Sequence, residues 1–580
     1  MGEAYASVRR SFGSELPGET VSRRDRGSDR DVIKSQLVPT EQPRIDRRGF
    51  LAMLGLTAAT SACAGSVGSS DSEIGARGEP LAIDSTETEA LIIGSGFGGA
   101  VAALRLGQAG VQTIVLERGQ RWAPVPGTDT FARAAEDRRS TYLGTTAAIP
   151  FGPPIPVERY AGIVEKKSFP NLSVLMGAGV GGGSLVYGTT TIAPARALFR
   201  KVFPACIDYD ELADVYYPWV HAMLNATQIP GDIYNSDPWR YARLFASQAV
   251  AAGFDPSLID AATDWNVARA ELQGTLPPEI TIGNSAAGGA FGSNNGAKFS
   301  LDRNYLPAAE ATGNVRILPQ HSVFDIRRKH GRFEVSANVI DLQGNVVETR
   351  TFVAKSLFLA AGSVGTTRLL LRAKATGGLP SLHKTLGSGF GTNGKSLFIR
   401  IVPTEFVGNA HGLVPANAFS DFKNSVAPTA VESAPSAIGS QVPFSVQNTA
   451  LVLVPERGVM RYDSTADDIV IDWAANGNQR AVDAAKAIAN ALNAANPGSQ
   501  TFTQPLLGPD GFSSAFTYHP LGGVGIGQTT DEYGRVKGQG RLYVMDGALL
   551  PGSCAGANPS MTIAALAERN VERIIEEDLG

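Results

Sequence analysis

The chain has 580 residues and a formal net charge of −4; 43% of it is apolar and 18% charged. So much apolar content excludes disorder throughout, and 65 glycines without a three-residue period exclude collagen. No basic stripe with interleaved aromatics is present, so no nucleic-acid partner is expected. Three cysteines (Cys63, Cys206, Cys554) and six scattered histidines form neither a disulfide framework nor a set at metal-ligand spacing, and no metal is expected.

Residues 1–64 read as a twin-arginine export signal with an extended polar N-region. Asp46-Arg47-Arg48-Gly49-Phe50-Leu51 leads into the apolar run AMLGLTAATSA, which ends among small residues. That run is too short to span a bilayer core of about 30 Å as a helix. Two processing outcomes stay open: cleavage after Ala64, or lipidation of Cys63 as in a lipoprotein. Either implies the twin-arginine export machinery as a partner and a secreted or envelope-associated product. Residues 65–84 are a Gly/Ser-rich flexible linker. Twin-arginine export carries folded proteins, which favours a cofactor enzyme.

The strongest chemical signal follows. Ala90–Ile93 predicts a buried parallel strand, and Gly94, Gly96 and Gly99 complete G-x-G-x-x-G, with Phe97 and Gly98 between them. A helix is predicted over Ala100–Leu106, and a second strand over Thr113–Leu116 runs into Glu117. In such a unit the first glycine allows the turn, the second lets a pyrophosphate approach the backbone, and the third packs helix on sheet. The helix N-terminus offers N–H groups to the phosphates, and the acid accepts from the adenosine ribose. A second glycine cluster, MGAGVGGGSLVYG, contains Gly179, Gly183, Ser184, Tyr187 and Gly188. A third segment, SLFLAAGSVGTTRLLL, predicts a strand entering Ala361-Gly362 and then a helix.

These three segments, in this order, resemble the glucose–methanol–choline (GMC) family of FAD oxidoreductases. The C-terminal part, with YHPLGG and MDGALLPGSCAGANPS, is similar to bacterial sterol-oxidising members that hold FAD without a covalent bond. The resemblance implies an α/β fold in which a Rossmann-like FAD-binding domain (85–126, 172–192, 297–395, 510–580) is interleaved with a substrate domain (127–171, 193–296, 396–509) of mixed β-sheet and helices. It places Asp546, Gly547 and Pro559 at the FAD together with the glycine segments. It implies that His519 and Asn558 face the reactive edge of the flavin, with Glu432 moving a proton between steroid carbons. The residues agree with the first pair, since a neutral imidazole can take or share a hydroxyl proton near pH 7. Asn558-Pro559 also opens a predicted last helix, with Glu568, Arg569, Glu572 and Arg573 expected largely off its apolar face.

The expected function is an exported FAD-dependent alcohol oxidoreductase acting on a small hydrophobic alcohol, a 3β-hydroxysterol such as cholesterol. Electrons would pass to O2 or another acceptor, with steroid isomerisation and peripheral membrane association compatible with that role. Two alternatives stand beside it: an oxidase or dehydrogenase of another hydrophobic alcohol, and a surface sterol-binding lipoprotein that keeps FAD structurally. The chain departs from the sterol pattern at Ala430-Val431, where Phe-Ala is usual, at Ser560, where Phe is usual, and by one extra residue between Asp546 and Asn558.

Overall fold

A computed structural model describes residues 86–580 apart from 124–128, 151, 277–290, 409–410, 413, 437–441, 504–511 and 514–515. The export signal, the linker and Cys63 lie outside the described residues.

The chain opens with β1 (Glu87–Ile93), α1 (Phe97–Gln108) and β2 (Thr113–Leu116), the predicted unit with β1 and the helix longer than their sequence cores. β1 is exposed at its start and buried over its last four residues, Ala90–Ile93. A hairpin of β3 (Val164–Phe169) and β4 (Leu172–Gly177) delivers the second glycine cluster. Helix α2 (Arg240–Ala251) follows, and then β5 (Val315–Leu318), β6 (His321–Lys329), β7 (Arg332–Ile340) and β8 (Val346–Leu359). Helix α3 (Gly362–Ala375) leaves the end of β8. Next come β9 (Lys395–Ile401), β10 (Asn417–Asp421), β11 (Thr429–Ala434) and β12 (Ser445–Val452). The chain closes with α4 (Gln479–Ala495), β13 (Phe516–Thr517), β14 (Leu542–Val544) and α5 (Pro559–Ile574).

Two large sheets organise these elements. The first has the order β5-β2-β1-β8-β7-β6, with β14 also on β8. Its β5, β2, β1, β8 and β14 pair in parallel, so their C-terminal ends share one edge. Parallel strands covered on both faces read as continuous apolar runs, as ALII, TIVL and SLFL do here, and α1 and α5 pack together against this sheet in the main core. The second sheet is antiparallel through β9-β12-β11-β10. One of its faces carries Phe398, Val446, Ala450, Val431 and Phe419 into a core with Phe245 of α2 and Ile488 of α4. Its other face looks elsewhere, and that face holds the chemistry described below.

The charged residues of α5 correct one expectation. Glu568 and Arg569 are buried, at 1% and 4% exposure. Glu568 accepts from Arg105 of α1 and from Tyr305, and Arg569 pairs with Glu211. Their partners lie hundreds of residues away, so a helical wheel alone places them on the solvent side.

Candidate active site

In open α/β sheets, ligands bind beyond the C-terminal ends of the parallel strands. Here those ends carry Gly94–Gly99 after β1, Glu117 after β2, Ala361–Gly362 after β8 and Asp546–Gly547 after β14. The glycines of the first turn have different jobs. Gly94 sits at φ +97°, a conformation that side chains rarely adopt. A Cβ on Gly98 would stand 1.7 Å from the Met545 carbonyl oxygen, so this glycine seats α1 on the strand end rather than admitting a cofactor. Gly99 likewise meets the Gly94 carbonyl, as the packing role of the third glycine requires. A Cβ on Gly96, Gly183 or Gly362 would meet nothing within 4 Å among the described residues. Gly96 is also the N-cap of α1 and supplies no side-chain cap, so the first N–H groups of that helix stay available to an anion.

Two buried carboxylates brace this cradle. Glu117 accepts from Ser95 N (3.1 Å), Ser95 Oγ (2.7 Å), Gly119 N (2.9 Å) and Gly179 N (3.3 Å), which ties the first glycine turn to the second glycine cluster. Its four main acceptor sites are engaged by the protein, so it holds the walls of the cradle together. Asp546 accepts from Gly362 N (2.8 Å), Thr366 Oγ1 (2.5 Å) and Ala548 N (2.9 Å), which ties β14 to the start of α3. Burial pushes its carboxyl up to about 6.

The hydroxyls of the second cluster serve the backbone. Ser184 Oγ donates to Gly181 O and accepts from Leu301 N, and Tyr187 Oη donates to Phe299 O. The Tyr187 ring meets Phe97 edge-on, with ring centres 5.5 Å apart. Gly188 lies against Pro415. Any contact of Ser184 with a cofactor therefore runs through its backbone.

The expected chemical residues converge at the far end of the cradle. His519 follows β13 in a loop joined to the cradle, since Ser363 of α3 donates to Gly522 O and Gly522 N donates to Gly547 O. Asn558 is the N-cap of α5 and Pro559 its first residue. Asn558 Nδ2 donates to Glu432 Oε1 at 2.5 Å. Glu432 sits in β11 at 4% exposure, so it is no loop residue.

Asn393, which sequence reasoning missed, connects these groups. It is fully buried, at φ +59°. Its Oδ1 accepts from Cys554 N (2.7 Å) and its Nδ2 donates to Ala557 O (2.9 Å). Those two backbone groups settle which end of the amide is nitrogen. That nitrogen lies 3.3 Å from His519 Nδ1, which is therefore the acceptor, and the proton of the neutral ring sits on Nε2. His519 is half-buried, and Nε2 has no partner among the described residues. Burial, and then the charge of Lys395, push its pKa down to about 3. The ring stays neutral near pH 7 and presents its Nε2–H.

Register places a second missed residue beside Glu432. Glu432 faces Thr449 of β12, which faces Leu397 of β9; one step along, Ala430 faces Leu451, which faces Lys395. Directly paired residues share a face and residues two apart alternate back to it, so Lys395 and Glu432 project from the same side of the sheet. Of the Ala430-Val431 pair, where the chain departs from the sterol pattern, Ala430 lies on this side, and Val431 is buried on the opposite one among the helices. Lys395 is 1% exposed. Its Nζ stands 3.7 Å from the centre of the Tyr518 ring and 4.9 Å from that of Phe516. Burial, opposed by Glu432, pulls the ammonium down to about 7. Burial, opposed by Asn558 and Lys395, raises the Glu432 carboxyl to about 7. The sequence signal for Lys395 is its position at the head of KSLFIRI, a strand buried over its first six residues.

Comparison with known proteins gives this arrangement a family. Models described as GMC oxidoreductase and as GMC oxidoreductase, C-terminal, match residues 455–567 and 393–506, and one described as FAD binding domain matches 87–134. The chain is 26% identical to a cholesterol oxidase of Acinetobacter baumannii, over 85% of this chain and 95% of the relative. It is 28% identical to a cholesterol oxidase of Mycobacterium tuberculosis, over 83% and 90%. The chain carries GMC oxidoreductase domains and resembles cholesterol oxidases over most of its length. Its fold is shared with a fungal aryl-alcohol oxidase (TM-score 0.60, 16% identity, 86% of this chain and 100% of that one). A pyridoxine 4-oxidase from Mesorbium loti also shares it (TM-score 0.57, 13% identity, 84% and 99%). The protein is an FAD-dependent alcohol oxidoreductase, and the open glycines and uncapped α1 fit the cofactor.

Proposed function

We propose that this protein oxidises the secondary hydroxyl of a 3β-hydroxysterol such as cholesterol, with O2 as electron acceptor. The observation that carries this reading is the cluster at one end of the flavin cradle, in which Asn393 joins His519 to the Ala557 carbonyl and the next residue, Asn558, donates to Glu432. Similarity to the two cholesterol oxidases supplies the substrate class. FAD, when bound, supplies the two-electron sink, accepting hydride from the carbinol carbon and passing the electrons on.

The chain's own groups do the rest. His519 donates its Nε2–H to the alcohol oxygen and fixes the carbon bearing the transferable hydrogen. Asn558 spends one N–H on Glu432, and its amide oxygen and second N–H orient the same oxygen. As the carbonyl forms, the hydroxyl proton needs an acceptor, and Glu432 receives it. Once that proton has moved on, the same carboxylate can carry a proton between adjacent carbons of the unsaturated ketone, which is the isomerisation. The small Ala430 beside Glu432 leaves room for a bulky ring system on this face. The twin-arginine layout of residues 46–64 supports export, with cleavage after Ala64 or lipidation at Cys63, and membrane association gives access to a lipid substrate.

The test begins with purified protein, which should be yellow. Anaerobic addition of cholesterol should bleach the flavin, and air should restore the colour with release of peroxide. Bleaching without peroxide would make the protein a dehydrogenase. Bleaching only by other alcohols would move the substrate, and none by any alcohol would overturn the reading. Glu432→Gln should still yield a ketone, more slowly, but without the absorbance of a conjugated enone.

A further inference from the structure

Asn393 and Gly394 form the centre of a tight turn. Both lie in the left-handed region, at φ +59° and +58°, and Lys395 N donates to Thr392 O across it (3.4 Å). Asn-Gly suits such a turn, so turn chemistry alone accounts for an Asn here. It does not account for where the side chain lies. The amide is fully buried and wholly used: Oδ1 accepts from Cys554 N, and Nδ2 has one N–H for Ala557 O and one for His519 Nδ1. Cys554 and Ala557 are themselves the ends of a second tight turn. Ala557 N donates to Cys554 O (3.1 Å), and Ala555 and Gly556 between them have φ +54° and +80°. A left-handed Ala is strained and persists only where its surroundings hold it, and Asn393 holds both ends of this turn, which runs straight into Asn558. The same segment also fixes the backbone of His519. Gly391 and Leu521 exchange hydrogen bonds (2.9 and 3.1 Å), and Thr517 Oγ1 accepts from His519 N (2.9 Å) and donates to Thr392 O (3.1 Å).

We propose that Asn393 is a positioning residue of the oxidation site, whose single amide keeps the proton of His519 on Nε2 and locks the turn that carries Asn558, so that both groups meet the same substrate oxygen. This rests on the alcohol-oxidising reading of His519 and Asn558. A neutral imidazole places its proton on the nitrogen that the other hydrogen bond leaves over; a donor at Nδ1 therefore sends it to Nε2. The amide has only one workable orientation. Turned over, it would set its oxygen against Ala557 O and its N–H groups against Cys554 N–H, stranding buried polar groups on both sides. The backbone of the Cys554–Ala557 turn thus orients the amide, the amide sets the ring, and the turn sets Asn558. Without that chain of contacts Nε2 would present a lone pair to the alcohol for part of the time, and the distance between the two groups would no longer be fixed.

The test compares parent holoprotein with Asn393→Gly, which suits the left-handed turn and deletes the amide, and Asn393→Asp, which keeps the shape and puts an acceptor oxygen in place of the two N–H groups. A role in the turn alone predicts parent rates for Asn393→Gly. Positioning predicts that kcat for flavin bleaching falls by about 10- to 100-fold in both variants, with KM little changed and FAD retained. Nitrogen-15 spectra of histidine-labelled protein, with His519 assigned by its loss in His519→Gln, should show the proton on Nε2 in the parent. They should show both tautomers in Asn393→Gly and a protonated Nδ1 in Asn393→Asp. A parent ring protonated on Nδ1 would overturn the proposal, and so would parent kcat with a parent ring spectrum in both variants. An equal fall in kcat on adding Asn393→Gly to His519→Gln would also overturn it, because the effect would then bypass the ring. If Asn393→Gly does not fold, Asn393→Asp and the parent spectrum decide. If no alcohol bleaches the parent flavin, the proposed function fails, and the ring spectra still decide whether Asn393 sets the His519 tautomer.

Discussion

The two ends of the flavin site treat buried ionisable groups in opposite ways. At the nucleotide end, Glu117 accepts four donors and Asp546 three, nearly all from backbone or from side chains of the adjoining turns. At the reaction end, Glu432 accepts one hydrogen bond, from Asn558, and Lys395 makes none among the described residues. Both ends are buried, so burial alone does not distinguish them. A satisfied buried carboxylate is a structural tie, because moving it strands several donors at once. A buried acid and amine left short of partners titrate near neutrality and can hand a proton on.

If that division holds, changes at the reaction end should alter rate and spare cofactor retention, and changes at the cradle should do the reverse. The largest effect is expected for His519→Ala. Stopped-flow bleaching should slow by about 10²- to 10³-fold with FAD still bound, on the scale of a lost preorganised hydrogen-bond donor; an equal rate would remove His519 from the chemistry. Next, Glu117→Ala should release FAD and lower stability by about 3 kcal/mol, since several donors lose a charged acceptor. Flavin fluorescence in the flow-through and thermal unfolding would report both, and full FAD retention would end the account of Glu117 as a tie.

A smaller effect separates two neighbouring glycines. Gly98→Ala should destabilise even the cofactor-free protein by about 1–3 kcal/mol, because its Cβ meets the Met545 carbonyl oxygen. Gly96→Ala, with open space at its Cβ, should leave the cofactor-free protein nearly unchanged and weaken FAD binding. Identical behaviour of the two would erase the distinction between packing and cofactor glycines.

The smallest effects are in the pH dependence of stability. The Glu432 carboxyl is raised in the fold from 4.5 to about 7. Its stabilisation is complete below about 4.5 and is lost as pH rises through about 7, so the parent should lose ground to Glu432→Gln across that window. The Lys395 amine is lowered from 10.5 to about 7. There the unfolded chain binds the proton, so the stability advantage of Lys395→Met should be greatest below about 7 and fade towards 10.5. Thermal midpoints measured across pH would show both slopes, and flat differences would mean that neither group is titrating in the fold.

Much of the cradle was legible because its determinants are local. Strand Thr113–Leu116 has its predicted bounds, and the predicted helix over Ala100–Leu106 is the middle of Phe97–Gln108. Each follows from apolar run, glycine spacing and helix start within some thirty residues. Glu568 and Arg569 were not legible, because partners at Arg105 and Glu211 turn apparent surface charges into buried pairs. Ser184 and Tyr187 sit in a recognisable motif, yet their hydroxyls answer to Leu301 and Phe299, which no short window contains.

The sequence by itself determined the chemistry on offer: a dinucleotide turn, an acid after the second strand, a His and an Asn-Pro near the C-terminus. These depend on neighbours in the chain, where spacing alone dictates geometry. Only the tertiary structure decided which groups meet at the reaction end. Lys395 and Glu432 project from one face because three antiparallel strands settle into one register, and Asn393 reads the His519 tautomer because two distant backbone groups orient its amide. Register and amide orientation are set by contacts far apart in sequence, and moving a strand by one residue would turn Lys395 to the opposite face.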